Sequence, residues 1–201
     1  MTKIIGLTGG IASGKSTVSN FLILNDIPVI DADKVVYELE RKGKAGLDAL
    51  VKVFSQQILT QDGELNRSQL GKIVFNNPSE MAKLNQIIQP LVWNEIWQRV
   101  TKYRQAATPY VVLDIPLLFE AGYAPKCDRI IVVGLDPERQ LQRLQERNGY
   151  SEAEARLRIG AQMSLTEKCR RADLVIDNNG SLAQLRKQVD GLIKQLKSNK
   201  L

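Results

Sequence analysis

Gly9-Gly10-Ile11-Ala12-Ser13-Gly14-Lys15-Ser16 fits G-x-x-x-x-G-K-[ST] at every fixed position. It follows the apolar run Ile4-Ile5-Gly6-Leu7, which reads as a strand. It precedes Thr17 to Asn25, where Val18, Phe21 and Leu22 fall at helical spacing. Strand, glycine-rich loop, helix is the context in which this pattern makes a phosphate-binding loop. A helix start has unpaired N–H groups and the positive end of the peptide dipoles, so it holds anions. Gly9, Gly10 and Gly14 let successive N–H groups converge on phosphate oxygens. Lys15 adds a mobile positive charge for the outer phosphates, and the Ser16 hydroxyl is a ligand for Mg²⁺. The alternative is a chance match in a glycine-containing turn, and both flanking elements argue against it. The loop reads as a nucleoside triphosphate site, and the phosphoryl acceptor is left open.

Working outward, four more runs join Lys3–Leu7 as short, apolar, mostly β-branched strands: Pro28–Ile30, Tyr110–Ile115, Arg129–Gly134 and Leu174–Ile176. Helical patterns separate them, which predicts parallel pairing with right-handed crossovers. The gap between the second and third strands is too long for one crossover. It holds helical patterns over Asp33 to Lys42, ended by Gly43, over Ala45 to Phe54, and from an Asn66 cap through Phe75. Asn77-Pro78 reads as a cap with proline at the first helical position, and Pro90 as the start of a longer helix through Val100. Residues 45–104 are expected to form a helical acceptor-binding insertion, the alternative being a purely structural crossover. Residues 136–165 read as a lid: a cap and first-position proline at Asp136-Pro137, a helix to Arg147, a break at Asn148-Gly149, and a capping box at Ser151-Glu152-Ala153-Glu154. The core is then 1–44, 105–135 and 166–201 of one domain. The expected fold class is α/β, a P-loop NTPase/kinase fold with a five-stranded parallel sheet flanked by helices, a helical acceptor-binding insertion and a helical lid.

Composition removes several function classes. The 201 residues contain no histidine, which excludes a histidine base, a phosphohistidine and a histidine metal ligand. A proton acceptor near neutral pH must be a carboxylate, a lysine or water. Cys127 and Cys169 stand apart, so neither a zinc site nor a structural disulfide is expected. Asp114 interrupts the most apolar run, Tyr110 to Phe119, so no segment reads as a membrane span. The chain enters a strand within three residues, leaving no room for a signal peptide, and the expected location is the cytoplasm. The net charge of +6 invites a nucleic-acid reading, but the cations are spread over helix faces and a solvated tail, Lys194, Lys197 and Lys200. An excess of cations also suits a protein that binds polyphosphates.

Three constellations carry chemistry. Asp31-Ala32-Asp33 sits at the carboxyl end of the second strand, the edge where open α/β sheets bind ligands. Strand alternation or a tight turn would aim both carboxylates the same way. Asp33 is the candidate general base, the alternative being that it only caps the following helix. Val111-Val112-Leu113-Asp114 has the form of a Walker-B segment, so Asp114 is a second candidate Mg²⁺ ligand, unless it only orders the loop before Pro116. Arg139, Arg143 and Arg147 recur every fourth residue on one helix face. Like charges at that spacing cost roughly 0.2–0.5 kcal/mol per pair. Arg156 and Arg158 differ, because Glu152 and Glu154 precede them by four residues and can pair with them. The unmatched stripe reads as prepared for triphosphate, and the alternative is a solvated cationic face. Trp93 and Trp97 are read as core, with stacking on the acceptor as the minority option.

With these residues assembled, the chain resembles the dephospho-CoA kinase family along essentially its whole length. The resemblance rests on Gly6 to Thr17, Val29-Ile30-Asp31-Ala32-Asp33, Pro116-Leu117-Leu118-Phe119-Glu120, Gln140 to Arg147, and Ala172 to Gly180. It implies that ATP, with Mg²⁺, phosphorylates the ribose 3′-hydroxyl of dephospho-CoA, the last step of coenzyme A synthesis. It implies Asp33 as the catalytic base, Arg143 as the lid arginine, and Ala12, Ser13, Gly14, Lys15, Ser16 and Thr17 as part of the ATP loop. Lys15, Asp33 and Arg143 are thus the catalytic candidates. Gly9, Gly10, Ile11 and the residues through Thr17, with Arg143 and Arg147, are the ATP-binding candidates. Thr8, Asp33, Arg67 and Gln162 are the acceptor-binding candidates. Ala12 stands where glycine is frequent, a harmless change if its φ is ordinary. Gln89-Pro90 replaces a usual His-Pro, and Tyr37 a usual basic residue. The expected partners are ATP and dephospho-CoA, with no nucleic acid and no membrane, acting as a monomer with an oligomer left open. A nucleoside or nucleotide kinase, or a non-enzymatic nucleotide-dependent switch or nucleic-acid binder, is the alternative.

Overall fold

The computed structural model describes residues 2–75 and 77–198, so Lys200 of the tail lies outside the described residues. The chain forms two compact units, Met1–Ile30 with Tyr103–Leu201, and Asp31–Lys102. The first is built on strands β1 (Lys3–Gly9), β3 (Tyr110–Asp114), β4 (Arg129–Gly134) and β5 (Leu174–Asp177). Strand β2 (Val29–Asp31) completes a five-stranded sheet of order β2-β3-β1-β4-β5. β1 pairs in parallel with both β3 and β4, and β4 with β5. All five sequence-predicted strands are present, Arg129–Gly134 at its predicted bounds and the others with ends shifted by one or two residues.

Alternation along the strands divides the core. Ile5 and Leu7 of β1, Val112 of β3, Ile131 and Val133 of β4 and Ile176 of β5 lie in one buried cluster. Val18 and Leu22 of helix α1 (Lys15–Leu24) close it, together with Leu185, Val189, Leu192, Ile193 and Leu196 of the last helix, Leu182–Lys197. On the other face Leu118 and Cys127 press onto Gly6 so closely that a Cβ there would overlap Leu118. The strand order puts β1 between β3 and β4, and the register Leu7↔Asp114 brings the carboxyl ends of β1 and β3 side by side. That edge, where the order reverses, is the ligand crevice of open α/β sheets.

The second unit is helical: α2 (Ala32–Leu39), α3 (Ala45–Phe54), α4 (Arg67–Val74) and most of α5 (Pro78–Gln105). Asn66 caps α4 and Asn77 caps α5 as their side-chain chemistry predicts. Pro90 does not open a helix. α5 runs unbroken through it, although an interior proline costs about 3 kcal/mol. The buried stripe Ile88, Val92, Ile96 and Val100, spaced by four, spans the proline and outweighs its local preference.

Candidate active site

The phosphate loop joins β1 to α1. Gly14 is the helix N-cap at φ 94°, and its missing Cβ would collide with Asn178. Thr17 and Val18 N–H both return to the Gly14 carbonyl, and Ser13 N–H to that of Gly10. Ile11 N–H donates to Gln162 Oε1 at 3.1 Å. Among the described residues, the N–H groups of Ala12, Gly14, Lys15 and Ser16 meet no acceptor in the chain. These four donors lie on a backbone that alternates in hand, as anion-holding nests do. Ser16 is exposed.

Ala12 departs from expectation. Its φ is 60°, left-handed and not ordinary, because the loop must reverse hand there as well as at Gly14. The Ala12 side chain packs with Ile11 against Leu141, Leu144 and Ala155, which offsets part of the conformational cost. We expect Ala12→Gly to change stability by no more than about 1 kcal/mol, since relief of the left-handed φ is set against lost packing and a floppier unfolded chain. Ala12→Val should lose about 1–3 kcal/mol, because a β-branched residue is strained at this φ. Denaturant unfolding of the two variants measures both.

Lys15 also differs from the sequence reading. Its Nζ lies 2.5 Å from Asp114 Oδ1, with side chains 14% and 3% exposed, so the amine is held in an ion pair and is not the mobile charge expected. Asp114 therefore does more than order the loop before Pro116. That loop is held by the buried Thr8, whose Oγ1 donates to the Pro116 carbonyl at 2.9 Å.

Asp31 and Asp33 do not share a strand face. Asp31 ends β2 and caps α2, accepting from Lys34 N–H at 3.1 Å. Asp33 falls in the first helical turn and is exposed. The capping role is thus Asp31's. In the same unit Arg67 donates to Glu40 at 2.7 Å and lies 4.6 Å from the centre of the Tyr37 ring. Burial pushes the Glu40 carboxyl up, and the Arg67 hydrogen bond and charge pull it back. Tyr37, one of the departures from the family pattern, is a platform for Arg67. Trp93 and Trp97 are half-buried, with ring centres 4.8 Å apart and planes tilted at 49°, so neither is a core residue in full.

The sequence-predicted lid is α6 (Pro137–Asn148) and α7 (Glu152–Gly160), with both predicted caps formed. Among the described residues, Arg139, Arg143 and Arg147 donate only to neutral oxygens, those of the Asn179 carbonyl, the Asn178 carbonyl and the Asn148 side chain. Arg156 pairs with Glu152 at 2.7 Å. Arg158 instead sits over the Tyr150 ring at 4.3 Å, because Glu154 is held in the capping box. Arg156 thus pairs as its spacing predicts, while Arg158 forms no close ion pair with Glu154, whose carboxyl is held down by the Ser151 hydrogen bonds and, to a lesser extent, by the Arg158 charge. Arg143 is the stripe member tied to the loop, since the Asn178 side chain also donates to the Ser13 carbonyl at 2.8 Å.

One residue of consequence escaped the sequence reading. Lys168, on α8 (Leu165–Arg170), is fully buried. In sequence it lies within the charged run Glu167-Lys168-Cys169-Arg170-Arg171, which has the form of a solvated helix face. Its partner Glu120 was visible only as the end of Pro-Leu-Leu-Phe-Glu. Burial, with help from Asp128, pushes the Cys127 thiol up to about 12, and burial raises Cys169.

The site can be set beside known proteins. The family described as dephospho-CoA kinase has a sequence model that matches residues 3–184. The dephospho-CoA kinase of Geobacillus kaustophilus is 48% identical over 195 residues, which cover 97% of this chain and 97% of that protein. The solved structure of TT1252 from Thermus thermophilus is 31% identical, with a TM-score of 0.81 over 97% of this chain and 98% of that one. That of dephospho-CoA kinase from Campylobacter jejuni is 26% identical, with a TM-score of 0.78 over 100% of both chains. A family match spanning nearly the whole sequence, on a sheet whose carboxyl edge carries a phosphate loop with four unsatisfied donors, leaves one assignment: the chain belongs to the dephospho-CoA kinase family.

Proposed function

We propose that this kinase transfers the γ-phosphoryl group of ATP to the ribose 3′-hydroxyl of dephospho-CoA, giving coenzyme A and ADP. The observation that carries the donor half is the set of unsatisfied N–H groups at Ala12, Gly14, Lys15 and Ser16 beside the Lys15 amine. Gly9, Gly10, Ile11, Ser13 and Thr17 shape the loop around them. Lys15 leaves Asp114 for the outer phosphates as they arrive, and Arg143, with Arg147 behind it, neutralises charge on the transferring group. Asp33 takes the proton from the 3′-oxygen as that oxygen bonds to the γ-phosphorus and the bond to the β–γ bridging oxygen breaks. Thr8, Arg67 and Gln162 serve the acceptor side.

The hard oxygen donors Ser16 and Asp114 suit Mg²⁺, and among the described residues no group of three or more Asp, Glu, Cys or His could hold an ion alone. That donor set fits an ion brought by the nucleotide. Held there by Ser16 and Asp114, Mg²⁺ would supply positive charge against the charge that develops on the transferring phosphoryl group. No helix among the described residues is long and apolar enough to cross a membrane. We place the enzyme in the cytoplasm as a monomer. We assign its +6 charge to polyphosphate substrates, with no part for nucleic acid or membrane.

ADP release measured across dephospho-CoA, nucleosides and nucleoside monophosphates tests the reading. Turnover should be confined to dephospho-CoA, and turnover of a nucleoside with none of dephospho-CoA would overturn it. Within the lid, Arg143→Ala should lower turnover by roughly 10³-fold, as loss of an arginine finger does. Arg156→Ala should stay within about threefold of wild type, because an exposed i,i+4 pair contributes little. Steady-state kinetics of the two variants side by side decides this, and equal losses would remove the distinction.

A further inference from the structure

The loop's carbonyl groups are held as specifically as its N–H groups are left open. Lys168 Nζ donates to the Gly9 carbonyl at 3.2 Å, Gln140 Nε2 to that of Ile11 at 2.8 Å, and Asn178 Nδ2 to that of Ser13 at 2.8 Å. These donors come from α8, α6 and the turn after β5, and they take every second carbonyl along the loop. All three are buried, Lys168 at 0%, Gln140 at 4% and Asn178 at 6% exposure. A carbonyl and the next residue's N–H are opposite ends of one planar peptide group, so holding the carbonyl on one side aims that N–H to the other. Residues 9, 11 and 13 are pinned outward, and the N–H groups of Ala12 and Gly14, which follow the last two, are among the donors left for an anion.

Lys168 reaches further than the other two. It also donates to the Pro116 carbonyl at 3.1 Å, and Glu120 Oε1 lies 2.9 Å from the amine as its ion-pair partner. Pro116 follows Asp114 by two residues, and its carbonyl also accepts from Thr8. Glu120 in turn accepts from Met163 N–H at 3.0 Å, next to Gln162, whose side chain holds Ile11 N–H. One buried amine thus ties together the first residue of the phosphate loop, the segment after Asp114 and the chain leaving the lid.

We propose that Lys168, Gln140 and Asn178 are positioning residues that set the phosphate loop in its anion-binding form before ATP arrives, with Lys168 the principal one. This rests on the reading of residues 9–17 as the ATP site. Loop and charge are then organised in advance, so binding energy is not consumed in ordering the peptide groups. None of the three touches a reacting atom.

The test compares wild type with Lys168→Met and Gln140→Met. Each substitution keeps an unbranched side chain of similar length and removes the donor. Mg·ATP affinity is measured by calorimetry, KM and kcat for both substrates by steady-state kinetics, and folding by thermal melting. We expect the Mg·ATP Kd and KM to rise roughly 10–100-fold in Lys168→Met and about tenfold in Gln140→Met, the range for losing buried hydrogen bonds with and without a charged partner. The KM for dephospho-CoA should stay within about threefold. A purely structural role would lower the melting temperature and leave the ATP constants unchanged in the folded protein, and that result overturns the proposal. If Lys168→Met does not fold, Gln140→Met decides on the same criterion. If wild type itself fails to bind Mg·ATP, the reading of the loop falls and the proposal with it. If wild type binds and the folded variants bind equally well, only the proposal falls.

Discussion

Lys15→Ala is expected to lower turnover on the order of 10³-fold at saturating Mg·ATP, the scale for removing one fixed positive group from a transferring phosphoryl. It should also destabilise the fold by about 3 kcal/mol, the low end for breaking a buried ion pair by deleting one partner. The cause is Asp114, which is 2% exposed and would lose a partner 2.5 Å away. The two effects separate in the double variant Lys15→Ala/Asp114→Asn. Neutralising Asp114 removes the buried charge that has lost its lysine, so stability should recover while turnover does not. Thermal melting and ADP release on the single and double variants check this. Unchanged turnover in Lys15→Ala would refute the phosphate role, and no recovery of stability would show that the pair is not what the lysine stabilises.

Asp33→Asn should lower turnover roughly 10²–10⁴-fold, as for a removed general base, with the affinity for Mg·ATP within about threefold of wild type. The side chain keeps its shape and one acceptor oxygen and loses only its charge. Because Asp31 caps α2, the substitution leaves the cap in place, and the melting temperature should hardly move. Asp31→Asn is the matched control. It keeps a good cap residue beside the same helix, and its turnover should stay within about tenfold of wild type. Phosphoryl transfer is mainly positioning and charge neutralisation, so part of the Asp33 effect comes from orienting the hydroxyl. Near-normal turnover in folded Asp33→Asn would move the base to another group. A large loss in Asp31→Asn at unchanged stability would name that group.

The features legible in the sequence are those whose physics is local. The phosphate loop needs a glycine, a lysine and a hydroxyl at set spacing between a strand and a helix, and all of these lie within Lys3–Leu24. The strands follow from short β-branched runs buried on both faces. The caps at Asn66, Asp136 and Ser151 follow from side-chain oxygens that reach N–H groups two or three residues on. The arginine stripe and the Glu152–Arg156 pair follow from helical spacing alone.

What required the folded chain is what depends on packing between distant segments. Pro90 lies inside a helix because a buried stripe overrides its local preference. Ala12 is left-handed because the loop must turn where it meets Leu141 and Leu144. Lys15 pairs with Asp114 because the order β3-β1 sets residues 99 apart in sequence at one sheet edge. Lys168 is the extreme case. It lies in a charged run between the half-buried Glu167 and Cys169, with Arg170 and Arg171 exposed beyond, and its partner Gly9 is 159 residues away. A lysine in such a run carries no local mark of burial. Only the tertiary arrangement supplies three oxygens around its amine, and without them a charge could not remain in the interior.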